Sequence, residues 1–164
     1  GQGSRFTLTV PSSLSEFDGP RHLKAKQPPD SHPEQPGAES ESIRVLFVDD
    51  HKVMRQGLIN LIGIQPGIHV VGEASNGREA IDRVERLKPD MVIMDVSMPD
   101  MDGIEATRRI KAKWPQVRVI ALSMVDDDQV SRTMREAGAE AFVSKTASST
   151  ELLKAIYGFR RGNG

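Results

Sequence analysis

From Ile43 onward the chain repeats one alternation five times: a short run rich in Val and Ile, then a longer stretch in which apolar residues recur at helical spacing. The runs are IRVLFV (43–48), IHVVGEA (68–74), MVIM (91–94), VRVIALS (117–123) and EAFVS (140–144). Their length and β-branched content suit strands buried between two layers, the situation of a parallel sheet. Parallel neighbours need a crossover, and the right-handed crossover rule distributes the intervening helices over both faces. The expected fold is therefore α/β: a (βα)5 doubly wound, five-stranded parallel sheet.

Helix ends are legible between the runs. Asn76 with Glu79, Asp102 with Glu105, Asp126 with Gln129 and Ser148 with Glu151 have the spacing that satisfies free backbone donors at a helix start. Pro89 and Pro115 follow the second and third helices, and Gly138 suits a left-handed C-terminal cap of the fourth. The first 42 residues differ in kind. They hold six of the ten prolines and few apolar residues, too few to offset the entropy of ordering them. They are read as a flexible N-terminal arm or the remnant of a tag, although Phe6, Leu8 and Val10 in RFTLTV alternate as a strand would. The domain is expected over residues 43–160, with a tail at 161–164.

Ligands of such sheets bind at the carboxyl ends of the strands, near the point where strand order reverses. That edge is chemically loaded here. The first run leads into Asp49 and Asp50, the third into Asp95, the fourth ends in Ser123 and the fifth stops just before Lys145. Three converging carboxylates repel one another unless a cation lies between them, and oxygen donors favour Mg²⁺ or a similar hard ion. Mg²⁺ leaves one carboxylate free to act as a nucleophile towards phosphorus. Asp95 is the candidate, because it ends the central strand and precedes a loop shaped by Pro99 and Gly103. Lys145 then supplies a point charge to the transferring group, and the Ser123 hydroxyl a hydrogen bond that exists only after transfer.

The set VDDH, VIMDVSMPDMDG, ALS and AFVSK, in this order and spacing, resembles the receiver domain of two-component response regulators over residues 43 to about 160. The resemblance implies a flavodoxin-like receiver fold. It implies that Asp49 and Asp50 are the acidic metal pair, that Asp95 is the phosphoacceptor and also a metal ligand, and that Ser97 offers its backbone carbonyl to Mg²⁺. Ser123 corresponds to the switch hydroxyl, Lys145 to the conserved lysine and Phe142 to the switch aromatic. The implied partner is a histidine kinase or a phosphotransfer protein, with a homodimer as a further partner, and the switched surface is the fourth helix, fifth strand and fifth helix. DDHKVMRQGL and NGREAI look most like the LuxR-type branch, whose members normally attach a DNA-binding helix-turn-helix. DNA is expected as a partner only if a domain follows YGFRRGNG in the natural protein. Two positions depart from the family pattern: Thr146, where many members have proline, and Met124, bulkier than the residue usual after the switch hydroxyl. Met124 is expected to narrow access to the phosphoryl group.

Other features narrow the choice. Lys and Arg number 22 against 23 Asp and Glu, so no overall field points to nucleic acid or a membrane surface. Cysteine is absent, which removes disulfides, thiolate metal sites and cysteine nucleophiles. No apolar run approaches the ~20 residues that span a bilayer; a soluble, cytoplasmic protein is expected. His51 reads as a partly exposed residue at a helix start, RRIKAK (108–113) as a solvated face and Asp126, Asp127 and Asp128 as a capping cluster. The principal alternative is a Mg²⁺-dependent phosphatase or phosphotransferase with an aspartyl-phosphate intermediate. It is disfavoured because position 97 is Ser, leaving no second carboxylate as general acid, and no nucleotide-binding glycine motif is present. A receiver-like scaffold that is never phosphorylated is the third reading. The expected module is not an enzyme beyond its own phosphorylation and dephosphorylation.

Overall fold

The computed structural model describes residues 42–159; RFTLTV, Arg160 and Arg161 lie outside the described residues. Strands β1 (Ile43–Val48), β2 (Ile68–Ala74), β3 (Met91–Asp95), β4 (Arg118–Ser123) and β5 (Ala141–Ser144) form one parallel sheet in the order β2-β1-β3-β4-β5. Helices α1 (Lys52–Gly63), α2 (Gly77–Leu87), α3 (Gly103–Lys113), α4 (Asp128–Ala137) and α5 (Ser149–Gly158) alternate with them. The order reverses between β1 and β3, which places the switch point of the sheet beside Asp49 and Asp95.

Strand periodicity divides the apolar residues into two cores. Leu46, Val48, Val92, Met94, Val119 and Ala121 pack under α2, α3 and α4, meeting Val84, Ile110 and Met134. Val45, Phe47, Met91, Ile93, Ile120 and Leu122 face the other way, towards Ile62 of α1 and Leu152 and Ile156 of α5. Both sets are essentially solvent-free. Full burial of each such large side chain contributes about 1.5–3 kcal/mol, and this two-sided packing makes β1, β3 and β4 rigid supports for whatever their ends carry.

The helix starts follow the sequence with two corrections. Asn76 and Asp102 accept hydrogen bonds from the backbone N–H of Glu79 and Glu105 at 2.9 and 2.8 Å. At α4 the cap is Asp127 and not Asp126: its carboxylate accepts from the N–H groups of Gln129 and Val130. Three consecutive aspartates offer equivalent caps, and the turn leaving β4 decides among them. Ser148 occupies the N-cap of α5, but its side chain makes no capping bond. Gly138 ends α4 at φ 113°, the left-handed conformation that glycine adopts without steric cost. The reading of RRIKAK holds for Arg108 and Arg109, which are exposed and near Glu105, but not for Lys111. Its ammonium donates to the carbonyls of Pro115 and Val117, both at 2.9 Å, and so closes the turn from α3 into β4.

Candidate functional site

The register of the two central strands creates the site. Val48 of β1 pairs with Met94 of β3, so the next residue on each strand, Asp49 and Asp95, emerges at the same rim. Both are buried. Each carboxylate uses Oδ1 to accept a local backbone hydrogen bond, Asp49 from His51 at 2.8 Å and Asp95 from Ser97 at 3.2 Å. Their Oδ2 atoms converge on Lys145 Nζ, at 2.7 Å from Asp49 and 3.0 Å from Asp95. The Lys145 side chain is 2% exposed, so a residue that is ordinarily solvated is buried as the bridge between two strands. Its backbone N–H is anchored to the Ser123 carbonyl at 2.7 Å, which fixes the direction of approach from β5.

Asp50 completes the acidic group. Its Oδ1 is buried without a hydrogen-bond donor and lies 3.1 Å from Nδ1 of His51. One carboxylate oxygen from each of Asp49, Asp50 and Asp95 and one ring nitrogen of His51 all lie within 4.8 Å of one another. When ionised, three carboxylates against one ammonium leave an excess of two negative charges in a largely buried space. Asp49 Oδ2 and Asp95 Oδ2 share the single Lys145 ammonium and Asp50 Oδ1 has no hydrogen-bond donor, an arrangement costly for buried carboxylates and suited to a divalent cation. Burial pushes the Asp95 carboxyl up to about 6; Lys145 and the Ser97 N–H oppose that shift, and the Asp49 carboxylate adds to it.

The loop after β3 is held against the strand from which it departs. The N–H of Gly103 donates to the Val96 carbonyl at 2.9 Å, and a side chain at Gly103 would collide with the backbone carbonyl of Asp95. Asp100 takes a positive φ of 66° within the same loop. Ser123 is buried at the end of β4, where its hydroxyl accepts from the N–H of Val125 at 3.1 Å. Phe142 pairs in register with Ala121 and packs, partly buried, on the core beneath α4. Met124 is 57% exposed beside Ser123. At Thr146, where the resemblance leads one to look for proline, the hydroxyl shares a 2.8 Å hydrogen bond with Ser144 Oγ.

Two contributors escape a reading by strand ends alone. Arg55 of α1 donates from Nη1 to the Asp49 carbonyl and from Nε to Glu73 at 2.9 Å. Its signal was present: Arg55 falls on the stripe of Leu58, Ile59 and Ile62, where a charge needs a buried partner. His51, read as an ordinary helix-start residue, does occupy the exposed N-cap of α1, but its ring meets the acidic group.

Fold and rim together define a class: an α/β signalling module that gathers acidic residues and one lysine at the switch point of a parallel sheet. The chain belongs to the response regulator receiver domain family, whose sequence profile matches residues 45–157. It is 43% identical over 121 residues to the response regulator protein VraR of Staphylococcus aureus, an alignment covering 74% of this chain and 58% of VraR. Its fold superposes with a TM-score of 0.70 on a LuxR-family two-component response regulator from Aurantimonas sp. SI85-9A1, at 36% identity over 73% of this chain and 85% of that one. It also superposes on a CheX-CheY-BeF3-Mg+2 complex from Borrelia burgdorferi, with TM-score 0.67 and 27% identity, covering 72% of this chain and 89% of that one. The chain is thus the receiver domain of a two-component response regulator with LuxR-type relatives, and it spans little more than half the length of VraR. Among the described residues no helix is long and apolar enough to cross a membrane.

Proposed function

We propose that Asp95 is the phosphoacceptor of this receiver and that Asp49, Asp50, Asp95 and the Ser97 carbonyl hold Mg²⁺ beside it. The observation that carries this reading is the convergence of Asp49 and Asp95 on one buried ammonium, with Asp50 beside them, so that three carboxylates face a single positive charge. The donor is a phosphohistidine of a histidine kinase or phosphotransfer protein. An Asp95 carboxylate oxygen attacks phosphorus, the P–N bond of the donor breaks, and an acyl phosphate forms on Asp95. Bound Mg²⁺ supplies charge neutralisation at the phosphoryl oxygens. Lys145 contributes the second positive charge, already positioned between the two strands. Ser123, released from Val125, donates its hydroxyl to a phosphoryl oxygen, and Phe142 repacks with it. The rearrangement biases the surface formed by α4, β5 and α5.

The receiver unit is residues 43–160, with the preceding residues as an arm and 161–164 as a tail. A DNA-binding domain in the natural protein would make transcription the output, and a second copy of the chain is a candidate partner. The module acts in the cytoplasm and turns over no substrate besides its own phosphoryl group. The name of the Borrelia complex, with BeF3 and Mg+2, fits the same chemistry. Intact-mass measurement after incubation with Mg²⁺ and acetyl phosphate tests the proposal. A single phosphoryl adduct on the wild type, absent from Asp95→Asn and absent without Mg²⁺, is expected. An adduct that persists in the variant would reject Asp95 as acceptor.

A further inference from the structure

His51 stands where no all-oxygen site needs it. Its backbone N–H is tied to Asp49 Oδ1, its backbone is extended at φ −86° and ψ 99°, and its side chain makes no capping bond to α1. The ring instead turns back to the acidic group, with Nδ1 at 3.1 Å from Asp50 Oδ1 and 3.5 Å from Asp49 Oδ1. A ring nitrogen and a carboxylate oxygen at such separations need a proton or a cation between them. An octahedral ion with bonds of about 2.1 Å separates adjacent donors by about 3 Å and opposite donors by about 4.2 Å. The four donor atoms all lie within 4.8 Å of one another, so no pair exceeds the opposite-donor span by more than about 0.6 Å, a gap that small side-chain rotations close. The ring is 69% exposed, so an ion can reach it without opening the fold.

Resting on the reading of Asp49, Asp50 and Asp95 as a cation site, we infer that His51 is an additional ligand, through Nδ1, and that it adapts the site to borderline transition ions. Imidazole contributes little to Mg²⁺, which prefers oxygen and gives up water reluctantly, but it binds Co²⁺, Ni²⁺ and Zn²⁺ well. Any carboxylate site favours those ions somewhat over Mg²⁺, so the signature is not their affinity by itself. The signature is a His51-dependent gain confined to the nitrogen-seeking ions. Three donors then come from the consecutive residues Asp49, Asp50 and His51, and the fourth from Asp95 across the strand pair. Occupancy by Co²⁺ or Ni²⁺ in place of Mg²⁺ would make loading of the receiver sensitive to which divalent ion is available.

The test is calorimetric titration of the full chain with Mg²⁺ and with Co²⁺ at one fixed pH, for wild type, His51→Ala, His51→Gln and Asp49→Asn. Proton NMR of the Co²⁺ form accompanies it, with circular dichroism checking that each variant is folded. Loss of about tenfold or more in Co²⁺ affinity in both His51 variants, with Mg²⁺ affinity changed by less than about twofold, is expected. A hyperfine-shifted, exchangeable imidazole N–H signal should be present in wild type and missing from both His51 variants. Equal losses for the two ions, no loss for either, or an unchanged shifted signal in the variants would remove His51 from the ligand set while leaving the carboxylate site standing. Failure of both ions to bind wild type more tightly than Asp49→Asn would overturn the cation site itself, and this inference with it.

Discussion

Arg55 and Asp49 are joined through the backbone: the guanidinium of the first, carried on α1, donates to the main-chain carbonyl of the second at the end of β1. The same guanidinium pairs with Glu73 of β2, so one side chain ties the acidic rim to a neighbouring strand and to the helix that follows. Replacing Arg55 with Ala leaves a buried carbonyl unsatisfied and should cost ~1–3 kcal/mol in urea unfolding, together with weakened Mg²⁺ binding. Glu73 is 44% exposed, and Glu73→Gln should cost less than about 1 kcal/mol because solvent screens that half of the link. Equal effects from the two substitutions would show that the bond to the Asp49 carbonyl is not the important one.

Asp95 should leave a pH signature in the protein without divalent ions. The unfolded aspartate titrates near its ordinary value of about 3.9, whereas burial raises the folded group to about 6. Between those values the folded state holds the extra proton, so the contribution of Asp95 to stability is full below about pH 4 and declines as pH rises through 6. The stability of wild type minus that of Asp95→Asn isolates this group. That difference should fall from pH 4 to 7, and added Mg²⁺ at pH 7 should restore wild type more than the variant. A difference that is flat or rises over this range contradicts the raised value.

Gly103→Ala places a methyl group against the Asp95 carbonyl in a loop that is already hydrogen-bonded to Val96. The neighbouring atoms are backbone and cannot rotate away, so overpacking of about 1–3 kcal/mol is expected. Phosphorylation by acetyl phosphate should slow as Asp95 moves. Thermal unfolding and the phosphorylation rate, measured on one preparation, test both; a variant as stable and as reactive as wild type would mean that the loop yields freely.

Met124 lies exposed beside Ser123. Trimming it to Ala should open a path for water to the phosphoryl group and shorten the acyl-phosphate lifetime by up to about tenfold, equivalent to ~1.4 kcal/mol of barrier. Decay of the phosphorylated mass over time gives the comparison. An unchanged lifetime in Met124→Ala removes the shielding role.

The five strands, their parallel arrangement and the presence of Asp49, Asp50, Asp95, Ser123 and Lys145 at one edge were legible in the sequence. Strand length and β-branched content report burial directly, and a polar residue that terminates an apolar run declares where the chain meets its rim. The order β2-β1-β3-β4-β5 follows from the crossover rule only once the pairings are known, and everything dependent on lateral neighbours was hidden. Lys111 looked like one more solvated charge because its two carbonyl partners lie in the next turn of the fold. Asp127 took the capping role over Asp126 because the path out of β4, and not the side chain, selects the cap. Arg55 found Glu73 because α1 packs beside β2, and His51 found Asp50 because the extended residue before α1 directs its exposed ring back along the rim towards the acidic group. The sequence by itself determined which apolar side chains are buried and which edge carries the chemistry, since both are encoded by local periodicity. Tertiary structure decided which charges meet, because electrostatic partners are chosen by distances between elements that no local pattern contains.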